Sequence, residues 1–187
     1  MDYFILNSHD AYPTPRIKRW AGKLDKKTLE QKVGNYIEKN AVFEIDNIWH
    51  TKYDASVYTD IVTHPCFIVS KKVKDTIKLY DENLHFERIC LQDRKINRTY
   101  IYYLPKISTL DVLTSNVTLS RDKQSIQTAE IDLEKSQNKV LFQVKADVTC
   151  LMIHRNVVES LLRRGVIGMD LLEVSSAQKK EENINDD

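Results

Sequence analysis

Glycine is scarce in this chain, with four in 187 residues. Phosphate-binding loops need several glycines close together so that backbone N–H groups can approach the anion. No such cluster occurs, which excludes the glycine-rich routes to nucleotide chemistry. Cysteine is scarcer still, at three. An odd count argues against a disulfide framework, and Cys66, Cys90 and Cys150 each sit inside an apolar run, the pattern of free core thiols in a reducing compartment. No apolar run approaches the roughly 18 residues needed to cross a bilayer. The opening Met1-Asp2-Tyr3-Phe4-Ile5-Leu6 also lacks the basic flank and longer apolar stretch of a secretory signal. A cytoplasmic location with no membrane partner is therefore expected. An excess of one charge is missing too: 28 basic against 27 acidic residues leave a net charge of +1, too weak a field for non-specific binding to nucleic acid.

What is present is the material of a folded domain. Hydrophobic residues make up 42% and charged residues 29%, enough apolar surface to offset the entropy of ordering the chain. Residues 1–174 are expected to form one domain. Residues 175–187 are polar and charged with Ile184 as the one large apolar side chain, and are expected to be a disordered tail.

Periodicity supplies the elements. Tyr3 to Asn7 reads as a strand, and Pro13 and Pro15 then impose a turn-rich stretch. From Asp25, Leu29, Val33, Tyr36 and Ile37 recur at helical spacing. Ala41 to Ile45 is a strand, and Trp49 to Tyr58 has no period. Pro65 to Val69 is a buried run, after which Ser70 caps a helix carrying Val73, Ile77 and Tyr80. Phe86 to Leu91 and Thr99 to Leu104 flank a polar loop as a hairpin does. Ile126 to Leu133 and Val140 to Val144 suggest a second hairpin around Glu134 to Lys139, with Thr149 to Ile153 a further strand. A last helix starts at Asn156, with Glu159 completing a capping box, Val158, Leu161 and Leu162 facing the core, and Arg163, Arg164 and Gly165 at its end. The fold class is α+β, with a mixed or mainly antiparallel sheet and about three helices. No internal repeat is read from the sequence.

Few residue groups suggest chemistry. His64, Cys66, His85 and Cys90 are the right types for zinc, but neither pair has the short spacing of a structural site, so no metal and no cofactor are expected. A Cys–His nucleophilic pair fails because each thiol lies in an apolar run. His50, Asp54, Asp60 and His64 gather in a stretch without regular period, and a small hydrolase built around His50 and Asp54 is one reading. The basic stretch Arg16, Lys18, Arg19, Lys23, Lys26, Lys27 and Lys32, with Trp20 inside it, is another, as a nucleic-acid-binding module. Neither gives an assignable catalytic, cofactor or metal residue.

The succession Pro65-Cys66-Phe67-Ile68-Val69-Ser70-Lys71-Lys72-Val73-Lys74, then Tyr80 to Phe86, the strand ending Leu104-Pro105, and Ile153-His154-Arg155 with Glu159-Ser160-Leu161-Leu162 resembles the immunity proteins of bacterial polymorphic toxin systems. The resemblance spans Asp60 to Val174. It implies a non-enzymatic protein that neutralises a cognate toxin by direct binding. Such a surface needs buried aromatic anchors within a polar rim, for which Trp20, Trp49, Tyr53 and Tyr58 are the candidates.

Overall fold

The structure, a computed structural model, describes residues 2–8, 16–21, 42–46, 58–63, 66–93, 97–119 and 126–176. Among these, fourteen strands and two α-helices are arranged in three sheets.

The five-stranded sheet runs β13 (Met169–Glu173), β1 (Tyr3–Ser8), β12 (Asp147–His154), β11 (Leu141–Val144) and β8 (Ser108–Leu110). Its pairs are antiparallel except β8 with β11. Alternation fills both faces. Leu6, Leu141, Leu151 and Ile153 point to one side, and Tyr3, Ile5, Phe142, Cys150 and Met152 to the other. The six-stranded sheet runs β2 (Arg16–Ala21), β3 (Val42–Asp46), β6 (Phe86–Asp93), β7 (Arg98–Pro105), β5 (Ile68–Val69) and β4 (Ile61–Val62). The small third sheet, β14 (Ser175–Ser176), β10 (Ile126–Ile131) and β9 (Leu113–Leu119), covers the second face of the five-stranded sheet through Ile126, Ala129 and Ile131.

Helices α1 (Lys71–Lys78) and α2 (Arg155–Arg163) pack on each other and share one core with both large sheets, in which Val73, Ile77, Val157, Val158 and Leu161 meet Leu6, Val69 and Leu151. Near the start of α1, Lys72 Nζ donates to the Gly165 carbonyl beyond the end of α2 at 3.3 Å, and past the end of α1 the Tyr80 hydroxyl bonds Ser160 of α2.

The two helices belong to strand–cap–helix units of similar build. Segments Cys66–Tyr80 and Cys150–Arg164 align without a gap: buried strand residues at Val69 and Ile153, an N-cap at Ser70 or His154, apolar core residues at Val73 and Val157, small buried polar residues at Thr76 and Ser160, and core residues again at Ile77 and Leu161. Only Cys and Val are identical between the two segments, so the likeness lies in burial and capping and is weak in residue identity.

The strand Tyr3 to Asn7, the strand within Ala41 to Ile45, the Ser70-capped helix and the Phe86/Thr99 hairpin all form as expected, the last with eight registered pairs from Phe86↔Pro105 to Asp93↔Arg98. The α+β class and mainly antiparallel pairing hold. Among the described residues two α-helices form where about three were expected, and the helix expected from Asp25 lies outside them. The second hairpin is different. Ile126–Ile131 pairs with β9 and β14, whereas Leu141–Val144 pairs with β12 and β8, so the segment between them carries the chain from one sheet to another. A 3-10 turn at Glu134–Ser136 and left-handed Gln137 and Asn138 make that crossing. α2 begins one residue before the expected cap: His154 Nδ1 accepts the Asn156 N–H at 3.2 Å, which removes the capping-box role of Glu159. Leu162 is turned outward, 56% exposed, and Val157 takes a core position beside Val158 and Leu161. The end of α2 is as read. Gly165 has φ +62°, and the Val166 and Gly165 N–H groups donate to the Leu161 and Leu162 carbonyls. The expected tail begins at Ser175, but Ser175 and Ser176 pair with Glu130 and Ile131, and 177–187 lie outside the described residues.

Candidate functional site

Of the expected acid–base group, His50, Asp54 and His64 lie outside the described residues, and Asp60 holds the fold together. Its Oδ1 accepts from the Ser70 hydroxyl at 2.6 Å, and its Oδ2 accepts from the Ile167 N–H at 3.1 Å and from Lys72 Nζ at 3.3 Å. Its backbone also donates to the Ile167 carbonyl at 3.0 Å and accepts from the Ser70 N–H at 2.8 Å. One aspartate thus ties the N-cap of α1 to the loop that leaves α2. Such saturation fits a clasp and leaves little lone-pair capacity for substrate.

The thiols are equally committed. Burial pushes the Cys66 and Cys150 thiols up to about 12, with the Asp147 carboxylate adding to the effect at Cys150, so both stay protonated at neutral pH. Cys66 packs with Ile89 and Leu91, whose side chains leave the opposite face of β6 from Cys90, and His85 is bonded to Glu87. Of the four residues considered for zinc, His64 lies outside the described residues. Among the described residues no group of three or more His, Cys, Asp or Glu side chains has metal-holding geometry.

Arg16 and Arg19 of the basic stretch stand on β2 opposite Asp46 and Glu44 of β3. Lys23, Lys26, Lys27 and Lys32, and the candidate anchors Trp49 and Tyr53, lie outside the described residues, as does the side chain of Trp20. Tyr58 is half-buried and stacks on Tyr100 with ring centroids 3.4 Å apart.

A concavity among the described residues lies elsewhere, at the junction of the two large sheets. It is an open cleft of about 190 Å³. One wall is the turn after α1, where Asp81 and Asn83 project and the Leu84 N–H closes back on the Asp81 carbonyl at 3.3 Å. His85 follows, and its carbonyl accepts the Lys106 N–H at 2.9 Å, extending the β6–β7 pairing by one step. Ser108 opens β8 on the far side, and Lys139 and Leu141 enter from the crossing before β11. Leu84 and Leu141 are buried beneath these polar groups.

Behind the cleft, Glu87 organises two of its lining side chains, His85 and Lys106. A single oxygen, Oε1, lies 2.9 Å from His85 Nε2 and 3.3 Å from Lys106 Nζ. The His85 hydrogen bond, then Lys106, holds the Glu87 carboxyl below its usual range. Lys139 is fixed through its backbone, donating its N–H to the Ser136 carbonyl at 3.0 Å and accepting the Tyr3 hydroxyl at 2.9 Å.

His85 was legible only as a zinc candidate, and Lys106 and Lys139 carried no signal. His85, Lys106 and Lys139, from separate parts of the sequence, converge because the β6–β7 hairpin abuts the five-stranded sheet. Compared with known proteins, the chain matches no family model and no curated protein.

Proposed function

We propose that this protein is a non-enzymatic binding protein that neutralises a bacterial toxin by direct protein–protein contact in the cytoplasm, as the resemblance over Asp60 to Val174 implies. The observation that carries this reading is the engagement of Asp60. It is the one described member of the acid–base group, and both its oxygens are taken by Ser70, Lys72 and Ile167 in a structural clasp. The stretches that carry the resemblance supply the two strand–cap–helix units and the hairpin, which suits a stable scaffold whose work is done at its surface.

The test is affinity capture of the tagged chain from nuclease-treated native lysate at low and high salt, with bound proteins identified by mass spectrometry. The expected result is one salt-resistant partner with a toxin-like C-terminal domain, whose lethality on expression is suppressed by this chain. Recovery of no protein partner at either salt, or a captured toxin whose lethality persists in the presence of the chain, overturns the reading.

A further inference from the structure

We propose that His154 makes the first turn of α2 a pH-sensitive switch, closed while the imidazole is neutral and opened by its protonation in mild acid. The device needs no bound partner and is independent of the binding role proposed above.

Helix N-caps are ordinarily Ser, Thr, Asp or Asn, whose side-chain oxygen keeps a lone pair for a first-turn N–H throughout the neutral range. Ser70 caps α1 in this way, accepting the Val73 N–H at 3.4 Å. At the same place in the second strand–cap–helix unit stands a histidine. His154 has extended backbone, with φ −72° and ψ 143°, and its Nδ1 accepts the Asn156 N–H at 3.2 Å. That bond needs a lone pair on Nδ1, so it exists only for the neutral ring with its proton on Nε2. Histidine is the side chain that ordinarily changes charge between about pH 5 and 8, and this bond lies at an exposed place that solvent protons reach.

Protonation acts twice. It sets an N–H against the Asn156 N–H, donor facing donor, and it brings a positive charge to the positive end of the α2 dipole. The surroundings do not compensate. Tyr3 of β1 meets the ring edge-on at 5.1 Å, and burial raises its phenol above the ordinary value, so it stays neutral and supplies no counter-charge. Two cations stand nearby in the chain: Arg155, next on α2, and Lys139, which precedes the Val140 carbonyl that accepts the His154 N–H at 2.9 Å. Two acids stand with them. Asp2 gives its carbonyl to the Arg155 N–H at 2.8 Å, and Glu173 of β13 pairs with the Arg155 guanidinium at 3.7 Å. These charges cancel, which leaves the lost acceptor and the helix end to set the direction. Val157, Val158 and Leu161 are buried and keep the rest of α2 seated, so the opening is confined to its first residues.

The test is NMR of the isotopically labelled full chain between about pH 8 and about pH 5.5. At the upper end the ring nitrogens of His154 should report the Nε2–H tautomer. Protection of the Asn156 amide, corrected for the intrinsic pH dependence of exchange, should fall about tenfold across the range, in step with titration of the His154 ring. His154→Asn keeps an acceptor that does not titrate, and its Asn156 protection should stay level. His85→Gln should retain the fall, since His85 is bonded to Glu87 and not to α2. An Nδ1–H tautomer at the upper pH, level protection in the parent chain, or the same fall in His154→Asn overturns the switch.

Discussion

Asp60 shows how a single residue can be misjudged from its neighbourhood in sequence. An aspartate beside histidines in a stretch without period suggests acid–base work. The same absence of period also occurs wherever a side chain, not a backbone ladder, must satisfy nearby donors. The structure decides for the second case, since three donors converge on its carboxylate. Asp60→Ala should therefore lower stability by about 1 to 3 kcal/mol through unsatisfied donors at the start of α1 and at Ile167, read as a lower urea midpoint at unchanged slope. Glu87 gives a pH-dependent counterpart. Its carboxyl is held below the usual range by His85 and Lys106, so its stabilising contribution is present above the ordinary carboxylate pKa and lost as pH falls through the lowered folded value. Urea midpoints of Glu87→Gln and of the parent should differ at neutral pH and converge in acid.

At the scale of elements, capping and turn geometry were legible where they depend on one residue and lost where they depend on a competitor. Ser70 was found because it alone precedes the apolar period of α1. Asn156 was chosen for α2 by residue type, but the strand before it runs on to His154, whose ring nitrogen takes the same role. The false second hairpin has a similar cause: two strands adjacent in sequence usually pair, but β10 and β11 each find better partners in separate sheets. Of the cleft, only His85 was visible, because spacing within the sequence says nothing about residues joined by the abutment of sheets. Gly165 and Gly168 separate conformational from steric cost. Both have positive φ, yet a Cβ at Gly165 meets nothing within 4 Å, whereas one at Gly168 falls 2.4 Å from Thr59 Cβ. Gly165→Ala should cost about 1 to 2 kcal/mol, the left-handed penalty alone. Gly168→Ala should cost clearly more, since Thr59 is itself fully buried with its carbonyl bonded to the Tyr102 hydroxyl. Parallel thermal melts of the two variants check the order.

For the whole molecule, the five-stranded sheet decides how the parts unfold. Its strand β12 sends Leu151 and Ile153 into the core under the helices and Cys150 and Met152 into the core under the small third sheet. Neither covering layer can leave without exposing one face of the same strand, so the layers should be lost together. Phe142 is the probe for this coupling, being fully buried on the face away from the helices, with the Tyr3 ring edge-on at 5.4 Å. Phe142→Ala should cost about 3 to 5 kcal/mol, a large part of the roughly 5 to 15 kcal/mol available to a folded domain. The loss should appear equally on the helix side. Labelling of Cys66, which belongs to the third core cluster, and of Cys150, beneath the small sheet, reports on two separate regions, because both thiols are protonated and shielded until their surroundings open. Across a urea series analysed by mass spectrometry, the two should become reactive at one midpoint that coincides with the loss of helical circular dichroism, and Phe142→Ala should shift all three together. Separate midpoints in the variant would mean that the layers unfold independently and that the shared strand does not couple them.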